Sequence, residues 1–176
     1  ENGVATLLKD INSGPLYSNP SNFIEVNGMV YFYATSLEKG KELWKTDGTA
    51  AGTVLVKDIN PDAKSGVTLM ALIAFNNKLY FFADDGINGN ELWESDGTEA
   101  GTKLVKDING LPESSVFNVA LTAAETHFYF TANDGTNGAE LWKSDGSEAG
   151  TEMVKDINSN GGANIRYLTF HPYLKK

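Results

Sequence analysis

The chain has 176 residues, 41% of them apolar, which is one domain by length and too apolar for a disordered tail. Its 23 acidic and 14 basic residues give a net charge of -9, which argues against nucleic acid or an anionic membrane as the partner and suits cation binding. Cysteine is absent, excluding disulfides, thiol catalysis and thiolate metal sites, and no apolar run approaches the ~18 residues of a membrane helix.

The start, Glu1-Asn2-Gly3, is no signal peptide, and a chain without an initial Met reads as a mature or excised piece of something longer. The first predicted element is a strand over Val4 to Ile11, in GVATLLKDI (3–11). That string matches the tail of a unit that then recurs. Trp44, Trp93 and Trp142 are spaced by 49 residues, within ELWKTDGTAAGTVLVKDI (42–59), ELWESDGTEAGTKLVKDI (91–108) and ELWKSDGSEAGTEMVKDI (140–157). Three full repeats follow the leading strand, over about 12–59, 60–108 and 109–157, with a partial repeat over 158–176.

Within the second repeat, short strands are predicted from Thr68 to Phe75, over NKLYFFA (77–83), over ELWES (91–95) and over TKLVKDI (102–108). The clusters DDGING and DGTEAG punctuate them as turns. Four hairpin-linked strands in a period near fifty match one blade of a β-propeller. With the leading strand and a last one near Ile165 to Phe170, the count reaches about fourteen strands in one repeat domain of roughly three and a half blades. Closed propellers use about 4–8 blades, so the chain belongs to a longer array, or copies associate through open strand edges, or the arrangement is an unconventional stack; self-association is preferred.

The string Glu-Leu-Trp-x-x-Asp-Gly-Thr, at 42–49 and 91–98 and with Ser147 for Thr at 140–147, resembles the ELWxxDGT repeat family. The Gly-Thr and Val-Lys-Asp-Ile that follow continue the likeness in all three copies. The resemblance implies a propeller-like β fold in a secreted or surface protein of bacteria, and carries no reaction to map onto these residues.

The loop before each Trp is the best candidate for chemistry. The copies read TSLEKGKE (35–42), DDGINGNE (84–91) and NDGTNGAE (133–140). Asp84, Asp85, Asn88 and Glu91, and likewise Asn133, Asp134, Asn137 and Glu140, cluster hard oxygens on a glycine-kinked loop, as calcium requires. Asp-Gly and Asn-Gly are equally strong turn formers that need no metal. The first copy has Thr35, Ser36 and Lys39 instead, so calcium would bind two copies and not the first.

Asp47, Asp96 and Asp145, each before Gly, read as turn formers, since a catalytic acid is needed once rather than three times. Trp44, Trp93 and Trp142 are either platforms for sugar rings or the large residues that pack one blade on the next. The Lys-Asp pairs Lys9/Asp10, Lys57/Asp58, Lys106/Asp107 and Lys155/Asp156 point to opposite faces of their strands, and a cross-blade Lys–Asp contact is expected of them. The copies differ most over 12–28, 60–77 and 109–126, where Tyr17 and Phe117 are candidate ligand-binding residues on loops presented by a fixed scaffold.

Neither His127, in the aromatic run HFYF, nor His171 completes a Ser-His-Asp set. The expected function is therefore a non-catalytic secreted or cell-surface module that binds a glycan or a protein, assembles with copies of itself, or both. A polysaccharide-acting enzyme and a spacer or fibre subunit are the alternatives.

Overall fold

The structure, a computed structural model, describes residues 5–61, 65–67, 71–116, 121–163, 165 and 168–169. Twelve strands stand among these residues, in three antiparallel sheets of four. The first sheet holds β1 (Ser21–Val26), β2 (Met29–Ser36), β3 (Gly40–Thr46) and β4 (Val54–Lys57). The second holds β5 (Leu72–Phe75), β6 (Lys78–Asp84), β7 (Asn90–Ser95) and β8 (Lys103–Lys106). The third holds β9 (Leu121–Ala123), β10 (Phe128–Asn133), β11 (Ala139–Ser144) and β12 (Glu152–Lys155). Each sheet is a meander, with strands side by side in chain order.

Local sequence explains the hairpins. Asn76 and Asn77, with φ of 48° and 60°, form the two-residue turn between β5 and β6. Asparagine tolerates the left-handed region, and two such residues match the twist of the strands they join. A register shift falls at Leu43/Trp44, Leu92/Trp93 and Leu141/Trp142, where each third strand meets its fourth.

The second strands of the first two sheets, β2 and β6, are apolar on both faces because both faces are covered, whereas β10 carries Phe128, Phe130 and Ala132 on its covered face and Tyr129 and Thr131 on the other. In β2, Tyr31 and Tyr33 point into a cluster shared with Leu79, Phe81, Ala83 and Trp93 of the second sheet. Phe32 and Ala34 alternate with them and lie with Trp44 in a separate cluster, against Ile11. Tyr80, Phe82 and Leu92 of the second sheet meet Phe128, Phe130, Ala132 and Trp142 of the third in the same manner. Burying one such aromatic side chain stabilises the fold by about 1.5–3 kcal/mol.

The fold departs from the expected pattern at its two ends. Among the described residues, 5–11 belong to no strand and enter none of the three sheets. Of the expected strand near 165–170, Ile165, Leu168 and Thr169 are described and none is in a strand. Thr122 Oγ1 donates to the Leu168 carbonyl at 2.7 Å, so this part of the tail runs beside the first strand of the third sheet.

Candidate functional site

A meander places its second hairpin and its exit crossover at one end of the sheet, and its other two turns at the opposite end. Backbone contacts confirm the pairing at the first of these ends. Thr35 N donates to Ser18 O at 2.7 Å, Asp84 N to Gly66 O at 2.7 Å, and Asn133 N to Ser115 O at 2.8 Å. The Asp-Gly loops and the crossovers of least internal similarity therefore form one composite surface.

On that surface the eight expected calcium ligands divide into two functions. Asp85 Oδ1 accepts from Ile87 N at 2.9 Å and Asn88 N at 2.8 Å, and its Oδ2 accepts from Asn88 Nδ2 at 2.8 Å. Asp134 repeats this with Thr136 N, Asn137 N and Asn137 Nδ2 at 2.9, 2.8 and 2.7 Å. Asp84 and Asn133 accept from Gly86 N and Gly135 N. Burial raises the Asp134 carboxyl, but the N–H bonds from Asn137 and Thr136 outweigh it and leave its pKa below the usual range. Ser36 caps the first copy's loop in the same way, accepting from Lys39 N at 3.2 Å, while Lys39 Nζ pairs with Asp58 at 2.8 Å.

Glu91 and Glu140 turn away from these aspartates. With Glu42 they are completely buried, although they sit on the same strands as the exposed loops. Glu42 Oε1 accepts from Gly66 N at 2.7 Å and its Oε2 from Ile59 N at 3.4 Å. Glu91 accepts from Ile108 N at 2.9 Å, Ser115 N at 3.2 Å and Ser115 Oγ at 2.7 Å. Glu140 Oε2 accepts from Ile157 N at 3.1 Å. Each carboxylate holds the chain as it leaves its own sheet. Desolvation pushes Glu42 up to about 8 and Glu91 to about 7, against the lowering pull of the backbone N–H groups. Among the described residues no three acidic or histidine side chains converge as metal ligands.

The opposite end carries the Asp-Gly-Thr turns, which are closed hydrogen-bonding units. Asp96 Oδ1 accepts from Thr98 N at 2.8 Å and Thr98 Oγ1 at 2.7 Å; Thr98 Oγ1 in turn accepts from Gly101 N at 2.9 Å. Asp47 with Thr49, and Asp145 with Ser147, make the same set. The hydroxyl bond, then the backbone N–H, holds all three aspartates below the usual carboxylate range.

Trp44, Trp93 and Trp142 are buried in the clusters described above, so their ring faces meet protein and form no open platform. Lys57 Nζ lies 5.9 Å over the Trp93 ring and Lys106 Nζ 6.0 Å over that of Trp142, each lysine coming from the preceding sheet. The same lysines donate to the carbonyls of Thr102 and Thr151, both at 2.8 Å, and Lys9 donates to that of Thr53 at 2.7 Å. The contact between sheets expected of the Lys-Asp pairs is thus made by the lysine to a backbone carbonyl. Sequence reasoning missed this rung, whose signal was the lysine recurring 35 or 36 residues before each Trp.

Tyr17 is 82% exposed, on the approach to β1. Leu16, Leu37, Ile87 and Leu111 are also exposed, all on the composite surface. Phe117 and His171 lie outside the described residues. His127 stands just before β10, its Nδ1 2.9 Å from Thr126 Oγ1. No protein-family model and no curated protein matches the chain.

Proposed function

We propose that this chain is a non-catalytic recognition and assembly module whose sheets are arranged like propeller blades. The first strands support the arrangement: β1 approaches β5, and β5 approaches β9, so these are where the backbones of neighbouring sheets come closest. Such convergence at one edge is how blades fan out from an axis. The resemblance of the repeats to ELWxxDGT proteins supports a secreted or cell-surface location.

One observation carries the functional reading: repeated residues and unrepeated residues do different work. The repeated Glu, Trp, Asp, Thr and Lys are engaged in turns, crossovers and contacts between sheets. The unrepeated Leu16, Tyr17, Leu37, Ile87 and Leu111 are exposed together at one end. A rigid scaffold presenting varied apolar loops is how binding proteins are built. Four of these five side chains are aliphatic, which suits a protein surface better than a sugar. The exposed ring of Tyr17 favours a glycan as the second reading.

Screening the intact chain against surface proteins and a glycan array, beside Y17A and I87A, tests the reading. Binding should weaken stepwise with each substitution while the melting temperature stays constant. A ligand whose binding ignores both substitutions would remove the loop surface from the proposal. For assembly, light scattering over a concentration series should show a mass that grows with concentration.

A further inference from the structure

The two internal contacts between sheets are built from one template. Val56 and Ile59 leave the first sheet to cover the second, and Val105 and Ile108 leave the second to cover the third. Their relative exposures are 5%, 4%, 9% and 7%. The same positions in the third sheet, Val154 and Ile157, are 46% and 57% exposed. Lys155, which matches Lys57 and Lys106, is exposed as well. The third sheet therefore ends in the half of the template that covers, with nothing covered.

The other half is found on the first sheet, and it is already occupied. Residues 7–12 read LLKDIN, against MVKDIN at 153–158. Lys9 Nζ reaches Thr53 O at 2.7 Å, as Lys57 reaches Thr102 O and Lys106 reaches Thr151 O. Ile11 packs on Phe32, Ala34 and Trp44, as Ile59 and Ile108 pack on the following sheets. Among the described residues, this segment is held by the side chains of Lys9 and Ile11, without the strand pairing that anchors β4, β8 and β12.

We propose that residues 5–11 cap an assembly surface: they occupy on the first sheet the seat that residues 153–157 of a second copy take, and copies join head to tail by exchanging one for the other. The inference rests on the assembly reading above and adds its surface and its control. The occupant follows from the two internal interfaces, which show what this apolar edge fits. The lysine, the apolar pair and the acceptor carbonyl are all present in a second copy.

The test compares the 176-residue chain with I11D, I157D and the double variant, by light scattering over a concentration series. Near-ultraviolet circular dichroism of the three tryptophans monitors folding. I11D should associate at about tenfold lower concentration than the parent chain, the change that ~1.4 kcal/mol in the equilibrium produces. I157D and the double variant should stay at the monomer mass. K9A, which keeps Ile11 in place, should shift association in the same direction as I11D and serves if that variant fails to fold. Should the parent chain assemble and I157D leave its mass unchanged, assembly stands and this surface is wrong. Should I157D abolish assembly while neither I11D nor K9A strengthens it, the surface stands and the cap is wrong. If no variant and no concentration gives more than the monomer, the assembly reading falls and takes this inference with it.

Discussion

The phenol of Tyr31, on the second strand of the first sheet, lies against Gly97 in the Asp-Gly-Thr turn of the second sheet. A Cβ at Gly97 would collide with that hydroxyl, whereas one at Gly48, in the matching turn of the first sheet, would meet nothing within 4 Å. Both glycines have positive φ, 86° and 88°, so the backbone penalty for alanine is nearly the same at both, about 1–2 kcal/mol. G97A should be worse than G48A by a further ~1–3 kcal/mol of overpacking. Chemical denaturation of the two variants side by side measures that difference. Equal losses would mean that the turns do not communicate between sheets.

Ser147 stands in the third turn where Thr49 and Thr98 stand in the others, and its hydroxyl makes the same two bonds, at 2.7 and 2.9 Å. The methyl group is therefore dispensable and the oxygen is not. T98S should be close to neutral, while T98A should destabilise by about 1 kcal/mol for each of the two hydrogen bonds it loses. Melting temperatures of the two variants check this.

Stability should peak in mildly acidic solution. Glu42 and Glu91 have folded pKa values raised to about 8 and about 7, so the folded state holds their protons more tightly than the unfolded state does. Their contribution is fully present below the ordinary glutamate value and is lost as pH rises through 7 and 8. Asp47, Asp96, Asp134 and Asp145 act oppositely, with depressed values whose contribution is lost as the solution becomes more acidic. Unfolding free energy measured from pH 3 to 9 should fall on both sides of a maximum near pH 4–5. E42Q should flatten the alkaline side and be less stable throughout, because an amide nitrogen would face a backbone N–H. An alkaline limb that E42Q leaves unchanged would assign the dependence elsewhere.

Asp85 and Asp134 spend both carboxylate oxygens on their own loops. The melting temperature should accordingly be the same in millimolar calcium and in chelator, and D85A should lower it by a few degrees in both. A rise in calcium that D85A abolishes would make these loops cation sites.

Period, hairpins and the four-strand unit were legible in the sequence because each is set by neighbours a few residues apart: Asn76-Asn77, the Asp-Gly-Thr string, the alternating aromatics of LYFF. The part played by Glu42, Glu91 and Glu140 was not. Their partners lie 17 residues on, at Ile59, Ile108 and Ile157, and for Glu42 and Glu91 also 24 residues on, at Gly66 and Ser115 in the crossovers where the copies differ most. One clue was available. Glu42 occurs in the first copy, whose loop lacks the acids of the other two, so this glutamate's presence does not track a cation site. The unpaired state of residues 5–11 was equally hidden, because strand propensity does not supply the neighbour that a strand needs. The burial of Trp93 and Trp142 at a seam required the lysine and the apolar pair of the preceding sheet, 34 to 37 residues away.

The lysine rung also bears on how such a chain can change its length. Lys57 meets Thr102, and Lys106 meets Thr151, through the same atoms at the same distance. Excising residues 60–108 would bring Lys57 to Thr151 with the same geometry, and duplicating them would insert one more identical junction. Sequences of this kind are open to gain and loss of whole units by recombination between copies, because the seam does not record which sheet is its neighbour.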